Sequence, residues 1–276
     1  MAVVGTQVEG HVGIITMQNT PTLNSLSDEL MREVTEALNQ FKADPNVRAI
    51  VLNAEGRAFC SGFNLKASAE NAEKAGNPVA SWRTALEYDF DFIMQFWDCP
   101  KPTISAVHGA AIAGGFELAM ACDLTVVAEG TRLGEPEVRF GSAMVVMLLP
   151  WLIASKPARE ILLLGDDAID LQRAYQLGIV NHVVAKGQET EKAIDLAWRI
   201  ASCAPISIEL TKRAINRSYE AAGMREALRS ALDICVLIDA TGSPEREEFN
   251  RIVRDEGLKA ALVWRDRQAQ RIKNAD

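Results

Sequence analysis

The tightest constraint on this chain is a pair of adjacent glycines, Gly114 and Gly115, held between an apolar strand and an apolar helix. They sit in PTISAVHGAAIAGGFELAMACDLTVVAEGTRLGEPE, residues 102–137, where 103–107 read as a strand and a helix begins near Phe116. A second apolar strand follows, and the stretch ends on Glu137. A helix that starts directly after two glycines exposes its first backbone N–H groups and the positive end of its dipole. Such an end suits an anion. Glu117 falls in the first turn of that helix and Glu137 past the next strand, so both could face whatever binds there. Two acids beside an anion site point to acid/base chemistry next to a carbonyl. Plainer readings stand beside this one: Glu117 as a first-turn carboxylate favoured by the dipole, Glu137 as a surface acid, and the glycines as small residues for tight packing.

The rest of the chain supplies matching units. Residues 12–17 read as a strand, with a partner around Val8 across a turn at Glu9-Gly10. Residues 19–26 form a loop, after which Ser27 caps a helix with Asp28 and Glu29 in its first turn. Leu30, Val34, Leu38 and Phe41 share one face of it, and Asp44-Pro45 ends it. Residues 49–52 are a strand, and Glu55-Gly56 turns the chain into RAFCSGFNLK, where Gly62 marks a place for close backbone approach. Residues 67–79 read as a mobile flap or frayed helix. Leu86, Phe90, Ile93 and Trp97 give helical spacing before Pro100. After Glu137, residues 144–153 predict a buried helix or two short ones around Pro150; helices at 158–164 and 171–177 and a strand at 179–184 continue the pattern. From Glu189 onward helix follows helix, broken at Pro205, Gly223 and Gly242-Ser243-Pro244. Strand, turn and helix in this order predict an α/β core over 1–200, with a helical region over 201–276 packing on it or on other subunits.

The chain's 276 residues suffice for a large core. With a net charge of −8 it has no footprint for a polyanion, so no nucleic-acid partner is expected. Cys60, Cys99, Cys122, Cys203 and Cys235 show no C-x-x-C spacing, which predicts reduced thiols and no disulfide or zinc framework. The N-terminus lacks the pattern of a secretory leader, and no apolar run reaches the roughly 18 residues of a membrane span. A cytoplasmic location and no membrane partner are expected.

RAFCSGFNLK, then KPTISAVHGAAIAGGFELAMACDLTVVAE, then GEPEVRFG, taken together, resemble the enoyl-CoA hydratase/isomerase (crotonase) superfamily. The resemblance runs in element order from about residue 8 into the C-terminal helices. It implies a spiral of ββα units, C-terminal helices that make trimer contacts, and a homotrimer or a homohexamer of stacked trimers. It implies an acyl-CoA thioester as substrate, with CoA arriving on the substrate and no metal or redox cofactor. By motif, the backbone N–H groups of Phe63 and Gly114 correspond to the oxyanion hole, and losing one such donor costs on the order of 3 kcal/mol of transition-state stabilisation. Glu117 resembles the residue that activates water for attack at C3, and Glu137 the acid that protonates C2. The implied reaction is syn addition of water to a 2-enoyl-CoA, giving a 3-hydroxyacyl-CoA. Gly62 and Gly115 flank the donors, the backbone around Ala58 and Cys60 corresponds to the adenine contact, and Lys66 to a phosphate neighbour.

Asn64, Ser142, Ala143 and Met144 depart from the family's common acidic residue and glycine-rich run, and Phe63 is bulkier than usual. These changes reshape the acyl pocket. The same scaffold also admits an enoyl-CoA isomerase, a hydrolase or lyase, or an acyl-CoA-binding protein without turnover. Ser61, His108 and Asp123 form a possible hydrolase triad, although no G-x-S-x-G elbow surrounds Ser61. Lys212, Arg213 and Arg217 on one tail helix read as a solvated face, or as a basic patch for RNA or CoA phosphates.

Overall fold

The computed structural model describes residues 2–63 and 78–273. Asn64, Lys66 and nearly all of the expected flap lie outside the described residues.

Strand β1 (Val4–Glu9) turns through Gly10 into β2 (Val12–Met17) as an antiparallel hairpin, and β1 stays half-exposed at the sheet edge. Four further strands add in parallel: β3 (Ala49–Ala54), β4 (Thr103–Val107), β6 (Leu124–Ala128) and β8 (His182–Val184), in the order β1-β2-β3-β4-β6-β8. Strict alternation divides their side chains between two cores. Val12, Ile14, Ala49, Val51, Ile104, Ala106 and Val126 face one side. Ile15, Met17, Ile50, Leu52, Val107 and Val127 face the other. Both sides are covered, which is why these strands are near-continuous apolar runs.

Helix α1 (Asp28–Ala43) starts where Ser27 Oγ accepts from the Leu30 amide at 3.3 Å, and it buries Leu30, Val34, Leu38 and Phe41 as its spacing predicts. Helix α2 (Pro78–Trp97) buries Leu86, Phe90, Ile93 and Trp97. Helix α3 (Gly114–Ala121) is buried along its whole length, as its uniformly apolar sequence requires. It stands between the main sheet and a second, two-stranded parallel sheet, β5 (Ala110–Ile112) with β7 (Arg132–Gly134). Those three-residue strands are too short to show periodicity.

Residues 144–153 differ from the expected buried helix or pair of short helices. Only Leu149–Leu152 is helical (α4), and residues 142–148 run without regular structure. Within this stretch the amide of Val146 donates to the side chain of Glu117, a tertiary partner, and not to a helix ladder. Helices α5 (Ser155–Leu164) and α6 (Leu171–Leu177) lead to β8, and α7 (Glu189–Ala201) places Ala193, Leu196 and Ala197 against the outer face of the main sheet.

The tail is helical throughout its described part: α8 (Pro205–Ala221), α9 (Met224–Thr241), α10 (Pro244–Glu256) and α11 (Leu258–Lys273). Ser243 caps α10, with Pro244 at its first position. Phe249 of α10 stacks on Phe140 at 5.2 Å, which seats the last two helices beside Glu137. Lys212 contradicts the solvated-face reading. It is 6% exposed and donates to Asp123 Oδ2 at 2.7 Å and to the carbonyls of Phe96 and Lys101. Oxygens at the C-terminal end of α2 and on Asp123 supply the partners that let a lysine be buried.

Candidate active site

Residues 59–62 run alongside β5. Cys60 donates its amide to the Ala110 carbonyl at 3.0 Å and accepts from the Ile112 amide at 3.2 Å. This brings the RAFCSGF loop hard against the turn that opens α3. At Gly115 a Cβ would stand 2.4 Å from the Cys60 carbonyl oxygen. Gly62 has φ +94°, and a Cβ there would meet Ala113 Cβ and the Ile112 carbonyl at 2.9 Å. Neither site has room for a side chain. Ala113 itself, at φ +58°, takes up the sharp turn, and its amide donates to Gly134 at the end of β7.

The amides of Phe63 and Gly114 have no backbone acceptor among the described residues. The ring of Phe63 covers Gly114, where a Cβ would lie 2.4 Å from it. Ala58 and Cys60 are buried, with the Ala58 carbonyl accepting from Asn24 Nδ2 at 2.9 Å. Lys66 is outside the described residues.

Glu117 and Glu137 come together, and a third acid joins them. Carboxyl oxygens of Glu117, Glu135 and Glu137 all lie within 4.8 Å of one another. Their exposures are 1%, 3% and 7%, so neither Glu117 nor Glu137 is a surface acid. Glu117 Oε1 accepts from the Val146 amide at 3.0 Å. Glu137 opens a 3-10 turn, Glu137–Phe140, directly after Pro136. The Glu135 amide donates to the Asp166 carbonyl at 2.8 Å, which fixes the end of β7. Sequence reasoning passed over Glu135, although GEPE places two acids two residues apart in a non-helical turn.

Burial dominates the ionisation of all three. It raises Glu117 well above the usual carboxylate range, the charge of Glu137 adds to this, and the amides of Val146 and Val145 oppose it. Glu135 is raised by burial and then by the charges of Glu137 and Glu117. Glu137 is pushed up to about 7, with a hydrogen bond from Glu135 working against the rise. Three carboxylates at this spacing cannot all be charged near neutral pH. Protonation is one way to relieve that repulsion.

A cavity of about 1400 Å³ opens beside these acids, lined by Glu137 and by the apolar side chains of Leu26, Phe63, Trp82, Leu86, Ala113 and Val145 among others. Glu137 is on the wall, whereas Glu117 and Glu135 stand behind it. The loop after Glu137 is tied down by Asp239, which accepts from Ser142 Oγ at 2.9 Å and from Arg246 at 2.6 Å. Arg246 also lies 5.2 Å over the Trp82 ring.

The alternative hydrolase triad is dispersed. Ser61 Oγ donates to the Thr22 carbonyl, His108 contacts the Gly56 carbonyl, and Asp123 is engaged by Thr103 and Lys212. No described helix is long and apolar enough to cross a membrane.

Comparison with known proteins places this arrangement. The family model for enoyl-CoA hydratase/isomerase matches residues 7–241. A crystal structure of an enoyl-CoA hydratase/isomerase from Xanthobacter autotrophicus Py2 superposes with a TM-score of 0.91 at 43% identity, covering 96% of this chain and 97% of that one. A Thermus thermophilus relative that carries an enoyl-CoA hydratase name is 38% identical over 75% of this chain and 81% of its own. The (E)-benzylidenesuccinyl-CoA hydratase of Thauera aromatica is 32% identical over 75% and 80%. The chain therefore belongs to the enoyl-CoA hydratase/isomerase family.

Proposed function

We propose that the protein is an enoyl-CoA hydratase that adds water reversibly across a 2-enoyl-CoA to give a 3-hydroxyacyl-CoA. The observation that carries this reading is the buried clustering of Glu117 with Glu137, with Glu117 in the first turn of α3 and the amides of Phe63 and Gly114 lacking a backbone acceptor among the described residues. The thioester oxygen would take those two amides, so that charge developing on the enolate meets donors already in place. Glu117, with a backbone donor favouring its ionised form, accepts a proton from water as the oxygen bonds to C3. Glu137, on the cavity wall, gives a proton to C2. CoA enters with the substrate, and the chemistry needs no metal or redox cofactor. Exposed Leu163, Leu164, Ile206, Ile234 and Leu237 on α5, α8 and α9 support assembly as a homotrimer or homohexamer.

One observation favours a second reading. Glu137 lines the cavity and Glu117 stands behind its wall. Proton transfer by Glu137 alone would give a 2-enoyl/3-enoyl-CoA isomerase. The test is a panel of 2-enoyl-CoA thioesters, short, long and aromatic, with product mass read in labelled water. The hydratase reading predicts incorporated water that disappears in Glu117→Gln and in Glu137→Gln. An isomerase would move the double bond without label in the oxygen and would retain turnover in Glu117→Gln.

A further inference from the structure

We propose that Asp239 and Ser142 are positioning residues, a tie from the tail helices that holds both acids of the site in register. The span 137–146 has Glu137 as its first residue and, at its last, the Val146 amide that donates to Glu117 Oε1 at 3.0 Å. Displacing the middle of that span displaces one acid and the donor of the other together.

The span has little of its own to hold it. Past the 3-10 turn Glu137–Phe140, residues 142–148 have no regular structure and so no ladder of backbone hydrogen bonds. Ordering such a segment costs backbone entropy that outside contacts must offset. Those contacts come from α9 and α10. Ser142 Oγ donates to Asp239 Oδ1 at 2.9 Å. Arg246 Nη1 donates to the same oxygen at 2.6 Å and to the Gly141 carbonyl at 3.3 Å. The Cys235 thiol donates to the Ala143 carbonyl at 3.5 Å. Ser142 also donates its amide to the Glu137 carbonyl at 3.1 Å, so the residue that meets Asp239 is bonded directly to the turn of the first acid.

The surroundings of Asp239 suit it to this task. Its side chain is 3% exposed and that of Arg246 13%, so water competes little for their bonds, and a carboxylate acceptor makes the bond from Ser142 charge-assisted. Arg246 in turn lies over the Trp82 ring of α2, which extends the tie to a third helix. No bond is made or broken at Asp239 or Ser142 during the reaction. The catalytic consequence rests on the hydratase reading, but the tie itself does not.

Ser142→Ala is the variant of choice, because it removes the hydroxyl without changing any charge, whereas Asp239→Ala strands the Arg246 charge and endangers folding. In Ser142→Ala, kcat should fall by about 10-fold at little cost in KM, the scale of a hydrogen bond to a charged group. The acid limb of kcat/KM, set by ionisation of the base, should move to higher pH, because Glu117 holds its Val146 donor less well. The other titratable groups acting on or with Glu117 are Glu135, Glu137, Asp89 on α2 and Cys235 on α9, and all are retained in this variant. Ser142→Thr keeps a hydroxyl and should return both kcat and the limb to near the wild-type values. Amide hydrogen exchange of the ligand-free chain reads the tie directly: the Val146 amide should exchange about 10-fold faster in Ser142→Ala and near the wild-type rate in Ser142→Thr. Wild-type kcat in Ser142→Ala overturns the proposal. So does a raised KM with kcat unchanged, which would assign Ser142 to substrate binding. A lower kcat and melting temperature with the limb and the exchange rate unmoved would reduce the pair to packing and overturn it equally. If the wild type hydrates no enoyl thioester, the hydratase reading fails on its own, and the exchange rates still decide the tie: faster exchange in Ser142→Ala supports it and unchanged exchange overturns it.

Discussion

The amide of Val146 donates to Oε1 of Glu117 at 3.0 Å, across 29 residues of sequence. Residues 142–148, which carry this amide, have no regular structure, and the bond gives the buried Glu117 carboxylate a backbone donor. One contact therefore ties the loop that carries Val145 on the cavity wall to Glu117, and it opposes the rise that burial imposes on that carboxyl.

Glu117→Gln keeps the size of the side chain and removes the base. Hydration should fall by about 10²- to 10⁴-fold, the usual contribution of a positioned general base. Binding of a saturated acyl-CoA, measured by calorimetry, should stay near the wild-type level. A binding loss as large as the rate loss would assign Glu117 to structure and not to catalysis.

The acid trio should make stability fall as pH rises. Burial raises the pKa of Glu137 to about 7 in the folded chain and lifts those of Glu117 and Glu135 well above the ordinary carboxylate range. The folded state therefore holds protons that the unfolded chain releases near pH 4.3. The stabilisation is complete below that pH and is lost as pH climbs through the folded values. Melting curves of wild type and Glu135→Gln should diverge accordingly, with the variant gaining relative stability at pH 8 compared with pH 5. Parallel curves would remove the argument.

Gly115→Ala places a methyl 2.4 Å from the Cys60 carbonyl oxygen, and backbone cannot swing aside as a side-chain tip can. The expected cost is about 1–3 kcal/mol of stability, typical of overpacking, with loss of turnover as the Phe63 and Gly114 amides separate. Denaturant unfolding and steady-state rates check both parts.

Lys212→Met should destabilise the chain by on the order of 3 kcal/mol by leaving Asp123 without its partner, and Lys212→Met/Asp123→Asn should recover part of that loss. Chemical denaturation of these two variants and of Asp123→Asn alone measures the coupling. Additive effects would mean the 2.7 Å pair is energetically silent.

Much of this molecule was legible in the residues. Long periodic segments with explicit punctuation declared themselves: Ser27 and Ser243 as caps, Pro244 at a first helical turn, and a buried helix at Gly114-Gly115, although it begins at Gly114 and not near Phe116. Glu117 and Glu137 could be named because a helix start and a resemblance both pointed to them. Other features depend on partners distant in sequence. β5 and β7 are three residues each and exist through their pairing. Lys212 reads as exposed until Asp123, 89 residues away, closes on it. Glu135 looks like one more loop acid until β7 and the 3-10 turn fold it onto Glu137. Charged residues were the least readable class, because their burial is decided by tertiary neighbours and not by local pattern.

The most direct test of the central claim is mass analysis of products from a 2-enoyl-CoA panel in ¹⁸O-labelled water, run with wild type, Glu117→Gln and Glu137→Gln. The account predicts 3-hydroxyacyl-CoA carrying the label from wild type and none from either variant. Unlabelled, double-bond-shifted product that persists in Glu117→Gln would contradict it.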